Sequence, residues 1–546
     1  MGSEMCIRDR DALNTAAFNS ENDTINVMPG TYNVNSTITF WSDEEYFILI
    51  TGESSPVFDA GDSIRVMNIT TTSDNGDIYI DGLNIEHGRA DYGGGLYVET
   101  QNADISLSNC SINDNTGNII CGGVNLYSIT GDIIVADCEF RRNSAPDTSG
   151  YPYGNGGGLF VQTEQTGTEI TVIRCVFEEN MAGRDAAGAM LYPLGENSTV
   201  IVENNTFQNN IANEFGGGCW IRSPGGNSVI EYRENTVVGN STVEAGSGGG
   251  TYIEIESGTI NFSDNIHIGN SSIWQGGGLW ISHSGGTLNV WNNTFTENTS
   301  VQTGGGVNIF LDSGIANIDH NIFNANESSE SGGGLCISTT TGNINIFNNT
   351  FYSNFAAEGG GIYCYFDNTS ASANIYNNIL WQDDTPALSY SGAITITAEY
   401  SDIYGGTGES WFGTGCIDTH PLFADTSIAD FHLTWANFPI EDATKSPCID
   451  SGDPTAPLDI DSTTADMGAL YFDQLSACTE DFVPMNTPIL INIFPNPFNS
   501  AVSITAPARA ELKIYDLRGN VVFTDNVGAI PQGHSQEGQT QCSVPT

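Results

Sequence analysis

Apolar residues through the middle of this chain alternate with polar ones at a spacing of two, which predicts strands rather than helices. After most Gly-Gly-Gly triplets the third residue from the first glycine (Leu96, Leu159, Leu279, Val307, Leu335, Ile362) and the fifth (Val98, Val161, Ile281, Ile309, Ile337) are aliphatic. These side chains point inward, and the fourth residue points outward. A second strand is predicted over stretches such as 287–291, with Leu288 and Val290 inward, and a third around the Phe of a recurring FxxN. Triplets begin at 248, 276, 304, 332 and 359, so one unit takes about 28 residues. FxxN keeps step as FRRN at 140, FEEN at 177, FQNN at 207, FTEN at 295, FNAN at 323 and FYSN at 351. Weaker copies at Ile85, Ile112, Val237, His267 and Leu380 bring the count to about eleven coils, a solenoid roughly 50 Å long.

Asparagines mark the turns. Two residues before the Phe stand Asn205, Asn235, Asn265, Asn293, Asn321, Asn349 and Asn378, and three after it stands a second series from Asn115 to Asn354. Stacked one per coil, these amides bond to each other and to turn backbone as structural ladders. Cys110, Cys138 and Cys175 take the first ladder's positions in the early coils, and mostly free, buried thiols are expected.

The paired signatures GG[GA][ILV] and FxxN resemble the repeats of chlamydial polymorphic outer-membrane proteins, and the region resembles the wider right-handed parallel β-helix superfamily. TINVMPGTYNV (24–34) is similar to the entry of such helices, and SPCIDSGDP (446–454) with ADMGALYF (465–472) to their final turns. NIFPNPFNSAVSI (492–504) and AELKIYDLRGNVV (510–522) resemble the C-terminal sorting domain of the type IX secretion system, although IPQGHSQEGQTQCSVPT departs from that family's closing strand. The resemblance implies an all-β protein: a right-handed single-stranded parallel β-helix followed by a small β-sandwich-like sorting domain. It also implies contact with the type IX machinery and a secreted or outer-surface location. The expected divisions are 1–10 as an expression or assembly scar, 11–90 as cap and first coils, and 91–400 as repeats. They continue with 401–475 as final coils and cap, 476–490 as linker, and 491–546 as a truncated sorting domain.

Charge narrows the partners. With 66 Asp plus Glu against 14 Lys plus Arg, the net charge is −52. Phosphate backbones and anionic lipids are repelled, which excludes nucleic acid and bare membrane, and no apolar run reaches the length of a transmembrane segment. Polyanionic sugars would need intervening cations, Ca²⁺ above all. A monomer binding a polysaccharide or cell-surface component is expected.

Three groups of residues carry candidate chemistry. The outward fourth column includes Tyr97, Phe160, Leu191, Trp220, Tyr252 and Trp280, rings that could stack on a glycan, with Tyr151 and Tyr153 of the 143–155 insertion walling a groove. The alternative is that these aromatics stabilise one another or lie under inserted loops. On the same face Arg222, Glu254 and Glu256 are the candidate catalytic residues, for which a surface ion pair is the plainer reading. Asp450, Asp453, Asp459, Asp461 and Asp466 are candidate Ca²⁺ donors, with solvated capping turns as the alternative. Adhesion or glycan binding without catalysis is therefore expected ahead of a polysaccharide hydrolase or lyase, and ahead of a structural surface scaffold.

Overall fold

A computed structural model describes residues 3–4, 7–72, 76–146, 154–383, 386–477, 511–515 and 521–526. The chain divides into two units, Met1–Cys478 and Thr479–Thr546. Within the second unit, Glu511–Tyr515 pairs antiparallel with Val521–Asn526. The first unit is a parallel β-solenoid built from sheets of 15, 14 and 13 strands and a short-stranded sheet of nine.

One coil shows how the sequence closes on itself. Leu279–His283 joins the sheet that follows the triplets, Gly286–Trp291 the middle sheet, and Thr294–Thr296 the phenylalanine sheet. Thr299–Ser300 then adds a two-residue strand to the fourth, edge sheet before the next triplet. Three strands per coil are thus joined by a fourth that the period-two pattern is too short to register. The triplet sheet gives thirteen coils rather than eleven, because Ile38–Ser42 at the start and Leu388–Gly392 at the end form coils with no glycine triplet before them. At the N-terminus a helix over Ile7–Ala16 runs across the boundary expected at residue 10.

Inward positions stack like with like. Phe140, Phe177 and Phe207 stack at 4.8 Å between ring centroids, as do Phe323 and Phe351 at 4.4 Å. Cross-coil pairs of this kind are the unit of sheet stabilisation. His267 takes the Phe position of its own coil, wholly buried, and burial holds its imidazole neutral down to about 3.

Both asparagine ladders form. In the series from Asn205 to Asn378 each Nδ2 donates to the Oδ1 of the next coil at 2.9 to 3.1 Å. The series from Asn115 to Asn354 does the same at 2.8 to 3.0 Å. Cys110, Cys138 and Cys175 continue the first ladder as free thiols. The second ladder ends on a carboxylate. Asp383 Oδ1 accepts from Asn354 N at 2.7 Å and Nδ2 at 3.2 Å, whereas its buried Oδ2 has no donor. Burial pushes this carboxyl up to about 8. A folded pKa above the unfolded value of about 3.9 means a contribution present at low pH and lost as pH rises through the folded pKa. Asp383→Asn, whose amide can donate to Phe351 O as the other ladder members do, should raise stability by about 3 kcal/mol at pH 8 and by almost nothing at pH 4. Urea denaturation at the two pH values checks this, and an equal effect at both would remove the buried carboxylate as the cause.

Candidate functional site

Each strand of the triplet sheet presents two outward residues, the fourth and the sixth from the first glycine. In register, the fourth column reads Tyr97, Asn125, Phe160, Met190, Trp220, Tyr252, Trp280, Asn308, Cys336 and Tyr363. Met190 stands where Leu191 was expected, because the degenerate triplet is Ala186-Ala187-Gly188 rather than 187–189. Leu191 pairs with Val161 and Ile221 and lies in the core.

This column leaves the solenoid but does not reach open solvent. Phe160, Met190, Trp220 and Tyr252 are at most 7% exposed and pack with Cys121 and Ala186 into a second apolar cluster. The cause is local. The first glycine of each triplet turns left-handed, as Gly216 does at φ +62°, and brings the preceding turn over the fourth side chain. That turn carries Phe215, 4.9 Å from the Tyr252 ring and 6.1 Å from Trp220. Phe160, Trp220 and Tyr252 therefore offer no open face to a sugar, while Tyr97 and Trp280 are half-buried. Tyr151 and Tyr153 lie outside the described residues.

The sixth column is the more open one, half-buried at Tyr127 and Tyr192 and exposed at Phe310 and Tyr365. From the fourth coil onward it reads Tyr127, Gln162, Tyr192, Arg222, Glu254, Ser282, Phe310, Ser338, Tyr365 and Ser391. Rings occupy the fourth, sixth, tenth and twelfth coils, alternating with short or polar residues. Phe310 and Tyr365 are 40% and 41% exposed. At a coil spacing of about 4.8 Å, the rings within each pair, Tyr127 with Tyr192 and Phe310 with Tyr365, stand about 10 Å apart, and about 19 Å separates the two pairs. The signal was present in the sequence two residues beyond the column first singled out, but the missing cover over it was not.

The one break in this alternation holds the charged candidates. Arg222 Nε lies 3.4 Å from Glu254 Oε2, both side chains 40% exposed, and its guanidinium sits over the rings of Tyr192 at 5.6 Å and Trp220 at 5.9 Å. Beneath them is Asp185, 1% exposed, with Arg184 Nε 3.3 Å from its Oδ2. Burial lifts its carboxyl to about 7, against the pull of Arg184 and the amide of Phe215. Sequence reasoning missed Asp185 because it sits in the turn before a degenerate triplet. Glu256 stands apart, exposed in the bend after Thr251–Ile255.

The C-terminal aspartates close the solenoid's end, each accepting hydrogen bonds from the turns around it. Asp466 accepts from the backbone N–H of Asp450 and Phe472, both at 2.7 Å, and Asp459 accepts from that of Asp466 at 2.9 Å. Asp461 accepts from Thr463 and Gln474, Asp453 from Thr455, and Asp450 from Lys445 and Gln474. This is turn capping. Among the described residues, the one set of ligand atoms converging within 4.8 Å is Asp59, Glu86 and His87, elsewhere on the phenylalanine sheet.

Residues 29–207 match the right handed beta helix region family, and residues 492–541 match the secretion system C-terminal sorting domain. Fold and tail together define a secreted or cell-surface right-handed parallel β-helix repeat protein that engages the type IX secretion machinery. No helix among the described residues is long and apolar enough to cross a membrane. Similar solved structures include a mannuronic acid specific polysaccharide family 6 lyase from human gut microbiota, at 11% identity and a TM-score of 0.30 over 64% of this chain and 86% of that one. Pectate lyase Pel9A aligns at 16% identity and 0.25 over 84% and 90%, and alginate lyase AlyF-OU02 at 11% and 0.28 over 72% and 87%. No curated protein matches the chain.

Proposed function

We propose that this protein binds an extended polysaccharide along the open column of the triplet sheet and does not cleave it. The observation that carries the reading is the alternation of rings with polar residues at Tyr127, Tyr192, Phe310 and Tyr365. Two pairs of flat rings, each pair two coils apart on a rigid sheet, suit stacking on alternate sugars of an extended chain, and the intervening polar residues suit its hydroxyls. Glu254 is paired with Arg222 and Glu256 lies beyond the strand in an exposed bend, which favours recognition over hydrolysis. Removing Tyr192 and Phe310 together, each replaced by Ala, should weaken polysaccharide binding about fivefold per ring with the fold intact. Affinity electrophoresis against a panel of polysaccharides with and without Ca²⁺ checks this, and undiminished binding in the double variant would sink it.

One observation favours catalysis. Asp185, a carboxyl raised to about 7 beside Arg222 and Tyr252, has the protonation expected of a general acid. That reading requires new reducing ends or unsaturated uronate products that vanish in Asp185→Asn and Glu254→Gln. Turnover of this kind would replace the binding assignment with an enzymatic one.

A further inference from the structure

The middle sheet carries a third amide ladder, and this one faces out. Asn261, Asn289, Asn317, Asn345 and Asn374 hold one outward position on five consecutive coils. Each Nδ2 donates to the Oδ1 of the coil before it at 2.8 to 2.9 Å, and Asn261 closes the row on Glu231 Oε1 at 2.8 Å. Four of these residues are half-buried and Asn374 is exposed. The inner ladders satisfy buried backbone, a need that does not exist on the outside. Asn is depleted in strands, and an amide bond at the surface competes with water. The same position is filled by Ile134, Thr171 and Ile201 on earlier coils, with the sheet unbroken.

Each amide spends one N–H and one lone pair within the row, which leaves a second N–H and a second lone pair per coil. That is a donor and an acceptor about every 4.8 Å. Two residues further along the same strands, and so on the same face, stand Trp291, Phe347 and Tyr376, the last two stacked at 5.2 Å. A hydroxyl both donates and accepts, whereas a carboxylate or phosphate only accepts. A pyranose in an extended β-linked chain advances about as far as one coil, and the net charge of −52 disfavours a polyanion.

We infer that the outward amide ladder and its flanking rings form a second glycan-binding surface, for a neutral, extended β-linked polysaccharide. It lies on a different sheet from the aromatic column and does not depend on it. The test is affinity electrophoresis of the full chain in hydroxyethylcellulose, with polygalacturonate as the anionic control. Wild type should be retarded by the neutral glucan alone. Asn317→Thr with Asn345→Thr, which places at both sites the residue already present at 171, should weaken that binding about tenfold at unchanged melting temperature. Wild-type indifference to the neutral glucan overturns the inference, as does a Thr variant that binds like wild type. Loss confined to the Tyr192 and Phe310 variant would put binding on the triplet sheet, and loss confined to the Thr variant would put it here.

Discussion

Gly277→Ala should abolish cooperative folding of the solenoid, although it adds a single methyl group. A Cβ at 277 would stand 2.3 Å from Thr299 O and 2.5 Å from Gly305 O, both backbone atoms of the coil's return and of the next triplet. Neither can rotate away. Gly277 N also donates to Gly304 O at 3.1 Å, so relief means parting two coils and breaking the hydrogen bonds between them. Overpacking of ordinary cores costs about 1 to 3 kcal/mol, and a clash with fixed backbone on two sides should exceed about 4 kcal/mol. Gly269 provides the comparison. It is left-handed at φ +61° with nothing within 4 Å, so Gly269→Ala should cost only about 1 kcal/mol of backbone strain. Urea denaturation of the two variants followed by circular dichroism separates them. Equal midpoints would mean that close coil approach is not why the triplet is glycine.

The same contrast shows what a repeat reveals and what it hides. Period two and the 28-residue recurrence are direct consequences of strand geometry and coil length, so the inward residues, the three long sheets and both inner ladders could be read from Leu279, Val290, Phe295 and Asn298 outward. Period two says only that Trp220 leaves the sheet. Whether it meets water depends on the turn that Gly216 folds back, and on Phe215 within it, neither of which has a periodic signature. Register at a degenerate triplet was ambiguous for a related reason. Ala186, at φ +57°, adopts the conformation usually left to glycine, and only the pairing of Met190 with Trp220 reveals it. The aspartates near 460 were legible as a cluster and not as caps, because composition does not say which backbone N–H groups a carboxylate will meet.

Asn270→Ala should be the most damaging substitution that leaves the backbone unstrained. Asn270 is fully buried, and its Oδ1 accepts from Asn240 N at 2.9 Å and Asn240 Nδ2 at 3.0 Å. Its own Nδ2 donates to Val237 O and to Asn298 Oδ1, both at 2.9 Å. Truncation leaves two donors and a carbonyl of neighbouring coils without partners, at about 1 to 3 kcal/mol each, for a total of about 5 kcal/mol. Because each coil touches only its neighbours, the damage should be local, splitting one unfolding transition into two as coupling across the affected coil fails. Asn270→Asp sharpens the test. It keeps the acceptor but places a carboxyl where every neighbour is already positioned for an amide, so burial must raise its pKa as it does for Asp383. The folded state then binds a proton that the unfolded state releases above about pH 4, and stability must fall as pH rises from there. At pH 8 Asp should be worse than Ala, and at pH 4 better, since the protonated form returns one donor. Urea midpoints of both variants at the two pH values decide it. An order that does not invert would mean that the ladder works through packing and not through its hydrogen bonds.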